Sequence, residues 1–117
     1  MSIAFGQLRT IPATDKAKEI MRLFVSKEIF NEQRDVWQLG AALGISHGEQ
    51  YTKDKRETFQ NVNSLDPEGI FGAIVLGMYP DATDSERLNQ LVDYAEWGIR
   101  ELYERDQRGT LDFSILE

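Results

Sequence analysis

Residues 83–109, TDSERLNQLVDYAEWGIRELYERDQRG, decide the fold class. Thr83 and Glu86 stand at capping-box spacing, where each side chain satisfies the other's free backbone N–H at a helix start. Leu88, Leu91, Val92, Ala95, Ile99 and Leu102 then recur at helical spacing. Gly109 supplies the terminator. The pattern predicts a long helix to about Arg108. Asp93, Glu96, Glu101 and Glu104 are dense along it. Paired carboxylates can do acid–base work or bind a divalent metal. With Arg100 and Arg105 interleaved, however, Glu96–Arg100 and Glu101–Arg105 read as i,i+4 ion pairs.

Upstream, Asp66-Pro67 is a cap followed by proline at a helix's first position. Ile70, Phe71, Ile74, Val75 and Met78 follow with hardly a polar residue between them. This predicts a helix over 66–79, ended by Pro80 and the most buried of the chain. Further back, Thr14 or Asp15 caps a helix to about Phe30 with Ala17, Ile20, Met21 and Phe24 on one stripe. Asn31 caps a second, from about Glu32 to Leu43, with Gly44 as its left-handed terminator. Gly40, Ala41 and Ala42 make one side of that helix narrow enough for another helix to approach closely, and Gly98 beside Trp97 suggests the same on the last helix.

The remaining segments are less regular. Over 3–9, Ile3, Phe5, Gln7 and Arg9 alternate with Ala4, Gly6 and Leu8, which reads as a short strand or extended arm. Pro12 ends it. Residues 46–65 are polar and read as a mobile loop. The prediction is a mainly α single domain over 1–117. It comprises an arm (1–13), a four-helix core (14–109) interrupted by the loop, and an extended C-terminal tail (110–117).

Composition narrows the function. The 117 residues suffice for one core without staples. There is no cysteine, so disulfides and Cys-based zinc sites are excluded. No apolar run reaches membrane-spanning length, and Met1 to Thr10 lacks the pattern of a signal peptide. A cytoplasmic, prokaryotic protein fits. Residues 1–65 carry nine Lys/Arg against eight Asp/Glu, residues 66–80 add two acids, and residues 81–117 carry four against ten. The net charge of −7 opposes general affinity for nucleic acid or anionic membrane. His47, the only histidine, has no cysteine to share a metal with and reads as structural or solvent-facing. No phosphate loop and no nucleophile motif is present. No cofactor, metal or catalytic residue is expected.

Three stretches carry a resemblance. Arg34 to Ile45, Lys53 to Phe59 and Leu91 to Ile99 resemble, in the same order, blocks of small proteins associated with DNA phosphorothioation (Dnd) and related phage-defence loci. Two departures stand out: His47-Gly48-Glu49-Gln50 replaces that family's paired arginines, and Glu57-Thr58-Phe59 its Ile-Arg-Trp ending. The resemblance implies a genomic setting and brings no catalytic residues with it.

The expected function is that of a non-enzymatic accessory protein acting through protein–protein contacts, as a homo-oligomer or with a partner. Interface candidates are Trp37, Ala41 and Trp97 on the helices and Leu111, Phe113 and Ile115 on the tail. The alternative is a ribbon–helix–helix DNA-binding regulator, with Gln7 and Arg9 as readers on a 3–9 strand and Lys53, Lys55 and Arg56 as the densest basic cluster.

Overall fold

A computed structural model gives the fold, described for residues 4–112. Among these residues the elements are β1 (Thr10–Thr14), α1 (Asp15–Ser26), α2 (Gln33–His47), β2 (Arg56–Asn61), α3 (Val62–Leu65), α4 (Ile70–Met78) and α5 (Asp84–Gln107). The chain is mainly helical, with five helices and one two-stranded sheet rather than four helices and an arm.

The frame is α5 crossed by α2. Their backbones touch because neither has a Cβ at the crossing. A Cβ on Gly98 would overlap the Gly40 carbonyl, and one on Gly44 would overlap the Tyr94 carbonyl. Close approach at Gly40 and Gly98 is as the sequence implies, but it is made within the chain. Gly44 is not the terminator of α2. It is needed at the crossing, so the helix runs one turn further and Gly48 takes the left-handed conformation, φ 66°. The start also differs: Glu32, not Asn31, is the cap, its N–H donating to Asp35 Oδ2 at 3.1 Å. The capping box at Thr83 and the end of α5 before Gly109 are as expected.

The N-terminal segment departs from its alternation. Residues 4–7 turn instead of extending, with Gly6 left-handed and Leu8 N–H bonded to the Phe5 carbonyl at 3.0 Å. Phe5 enters the core while Gln7 and Arg9 stay exposed. The strand comes later, at 10–14, and runs through Pro12. It pairs antiparallel with β2, and the register slips between Ile11, opposite Gln60, and Pro12, opposite Thr58. That slip leaves Phe59 as the extra residue of a bulge, the kind of place where a sheet tolerates a residue without an N–H. Residues 46–65, read as one mobile loop, thus contain β2 and α3. β2 was illegible because its partner strand lies more than forty residues away. α1 stops at Ser26, since Glu28 turns left-handed at φ 61°.

The largest correction concerns α4. It begins at Ile70, and Pro67 lies in a turn before it. It is not the most buried helix: Ile70 is 55% exposed, Ile74 39% and Met78 42%. Gly72 and Val75 are its buried residues. The physical reason is that α2 and α5 already fill each other's apolar faces. A nine-residue helix added at their edge can bury only one line of side chains.

Candidate interaction surface

α4 is held at both ends and presents the rest of itself outward. At its start the buried Asp66 carboxylate accepts from Phe71 N–H at 3.1 Å and Gly72 N–H at 2.8 Å. The acid therefore caps the helix from a distance of several residues, which the Asp-Pro reading placed one turn too early. Phe71 stacks edge-on against Trp37, ring centroids 5.7 Å apart. Val75 is fully buried. At the far end Tyr79 Oη meets Tyr94 Oη of α5 at 2.7 Å. Burial, and then the hydrogen bond with Tyr79, push the Tyr94 phenol up to about 12.

The turn from α4 to α5 is gathered by Arg87. This buried guanidinium donates to the carbonyls of Tyr79 at 3.1 Å, Ala82 at 2.6 Å and Ala4 at 3.0 Å, and pairs with Asp84 at 3.0 Å. With its ends fixed, α4 holds Ile70, Ile74 and Met78 in one row at i, i+4, i+8, with the exposed Ala73 and Gly77 beside them. A cleft of about 460 Å³ runs along its flank, walled by Ala4, Val62, Pro67, Ala73 and Leu76, with Asp66 and Glu68 in its lining.

A second constellation is polar and closed on itself. Glu96, 1% exposed, accepts from Thr14 N–H at 2.9 Å, Thr14 Oγ1 at 2.8 Å and Arg100 at 2.5 Å. Arg100 lies over the Tyr51 ring, 3.7 Å from its centroid, and Tyr51 Oη donates to Asp54 at 2.7 Å. That bond to Asp54 raises the Tyr51 phenol above its ordinary value. Arg56 pairs with Asp93 and donates to the Tyr51 carbonyl. Every carboxylate in this group has a cation or donor already, so its chemistry is to clamp the two-stranded sheet and α1 onto α5. The Glu96–Arg100 and Glu101–Arg105 pairs form as expected, but Glu96 is interior. Its position between Val92 and Ile99 on the apolar stripe is the sequence signal for that burial.

The interface candidates separate. Trp37 and Ala41 are buried inside the chain and offer no surface. Trp97 is partly buried, its ring 5.6 Å from that of His47. Of the proposed extended tail, Thr110 bonds back to the Arg105 carbonyl and Leu111 packs against the core, while residues 113–117, with Phe113 and Ile115, lie outside the described residues. The nucleic-acid candidates are not brought together. Gln7 and Arg9 line a cleft with Asn61 and Asn63 at one end of the two-stranded sheet. Lys53, Lys55 and Arg56 lie at the other end, about 15 Å away along the strands. The two readers are outside any strand, and the observed strand pairs with β2 of its own chain. Sequence reasoning missed the row Ile70–Ile74–Met78 as a surface, since its apolar character pointed equally to the core.

Among the described residues no cluster of three His, Asp or Glu is placed to hold a metal ion, and no helix is long and apolar enough to cross a membrane. No protein-family model, no curated protein and no solved structure matches the chain.

Proposed function

We propose that the chain is a non-enzymatic accessory protein that docks on another protein through the outward face of α4. The observation that carries the reading is the exposure of Ile70, Ile74 and Met78 on a helix fixed at both ends. A contiguous apolar row on an otherwise charged surface is the usual mark of a contact site. The occupant is a different chain rather than a second copy, because two copies would bring the same acidic flanks together. The setting implied by the resemblance of residues 34–45, 53–59 and 91–99 is a prokaryotic DNA-modification or phage-defence system.

A photo-crosslinking residue placed at position 74 in the native host tests this. The expected result is one heterologous protein joined at that position, identified by mass spectrometry and lost when Ile70 and Met78 are both changed to Gln. Cross-linking only to a second copy, or to no protein, would overturn the reading.

A further inference from the structure

The charged residues next to α4 in sequence are of one sign. From Asp66 to Glu86 there is no Lys or Arg, while Asp66, Glu68, Asp81, Asp84 and Glu86 are acidic; the exposed Arg9 lies on the far side of Val62 and Asn63, which line the cleft beside α4. Arg87, next in sequence, is buried and turned onto carbonyls and Asp84, so it does not neutralise this face. Asp66 is occupied by α4's first N–H groups. Glu68 and Asp81 are exposed and form no ion pair among the described residues. They bracket a helix about 14 Å long whose outward row is wholly apolar.

We propose, resting on the reading of α4 as a docking surface, that the partner's element is an amphipathic helix carrying Lys or Arg on either side of its apolar anchors. Three features select it. A row at i, i+4, i+8 is the ridge that another helix accepts between its own ridges. The cleft beside α4 can take an aliphatic anchor from that helix, as in helix-in-groove recognition. The acids at the two ends of α4 meet cations on the partner's flanks, which steers the encounter and sets orientation. A partner strand is not accommodated, because α4 presents no open sheet edge. An anionic lipid surface is repelled by the same acids.

The test uses the full chain and two labelled peptides of about 18 residues, long enough to form a helix. Both carry Leu at i, i+3, i+4 and i+7 repeats; one fills the remaining positions with Lys, the other with Glu. Fluorescence anisotropy is read at low and physiological ionic strength. The Lys peptide is expected to bind at least about tenfold tighter than the Glu peptide and to weaken with salt. Glu68→Gln with Asp81→Asn should reduce its affinity about three- to tenfold. Ile70→Gln with Ile74→Gln, checked as folded by circular dichroism, should abolish it.

Equal binding of the two peptides would overturn the cationic partner and leave α4 docking in place. Undiminished binding of the Lys peptide to the Ile70→Gln/Ile74→Gln variant would locate the attraction elsewhere on the acidic surface and overturn the inference. Failure of the Lys peptide to bind would also overturn it, and the cross-link at position 74 then judges the docking reading separately.

Discussion

The α2–α5 crossing and helix α4 are built from similar residues and end in opposite environments. Both are rich in Gly, Ala and aliphatic side chains. At the crossing, the absence of side chains at Gly40, Gly44 and Gly98 lets two backbones meet, and the flanking Trp37, Val36, Leu91 and Ile99 are sealed from solvent. In α4 the same kinds of residue surround a short helix, and one row of them remains in water. Burial thus follows from whether a second surface of matching shape exists, not from hydropathy. Where the described residues offer none, an apolar row stays exposed.

Gly98→Leu breaks the first region most severely. A side chain there must displace the Gly40 backbone, which cannot yield as a flexible side chain would. Loss of the cooperative melting transition is expected; retention of a wild-type melting point would mean that the helices do not cross at Gly98.

The sharpest contrast lies between neighbours on α4. Val75→Asp places a charge in the core without a partner and should cost about 4 kcal/mol in urea unfolding. Ile74→Asp, one residue away, belongs at the opposite extreme and is the last of these expectations.

Between them stands the polar clamp. Glu96→Ala strips Thr14 N–H, Thr14 Oγ1 and Arg100 of their acceptor and should destabilise the fold by about 3 kcal/mol. A loss under about 1 kcal/mol, the range of exposed ion pairs, would show that the cluster is ornamental to stability.

A smaller effect is expected at alkaline pH. The Tyr94 phenol is raised in the folded chain to about 12, above its ordinary 10.0, by burial and by Tyr79. The unfolded chain therefore releases this proton first. The contribution is complete below pH 10.0 and is lost as pH rises from there through about 12. Melting temperature should fall across that window, and Tyr94→Phe should flatten the fall. An identical alkaline profile for the variant would detach Tyr94 from the effect.

Smallest is Ile74→Asp: with Ile74 39% exposed, it should cost about 1 kcal/mol, far less than Val75→Asp, while removing the proposed partner contact. If it unfolds the chain, α4 is core after all and the contrast between the two regions fails.

Local signals were reliable over α5, less so at the ends of α1, α2 and α4. Thr83 and Glu86 cap α5, Gly109 ends it, and the stripe from Leu88 to Leu102 faces inward. The small residues around Gly40 and Gly98 announced close packing. The signals failed where a residue's role depends on a distant one. β2 needs β1 to be a strand, Gly44 needs Tyr94 across the crossing, and Glu96 needs Thr14 from eighty-two residues away.

The sequence by itself determined a mainly helical chain without disulfides, its long last helix and its acidic second half, because caps, periodicity and charge act over a few residues. Only the tertiary structure decided that Trp37 and Ala41 face inward, that Glu96 is an interior clamp and that Ile70, Ile74 and Met78 are left outside. Burial is a competition for a limited interior. α2 and α5 fit one another backbone to backbone and occupy it, and α4, apolar on every side, keeps one row exposed among the described residues.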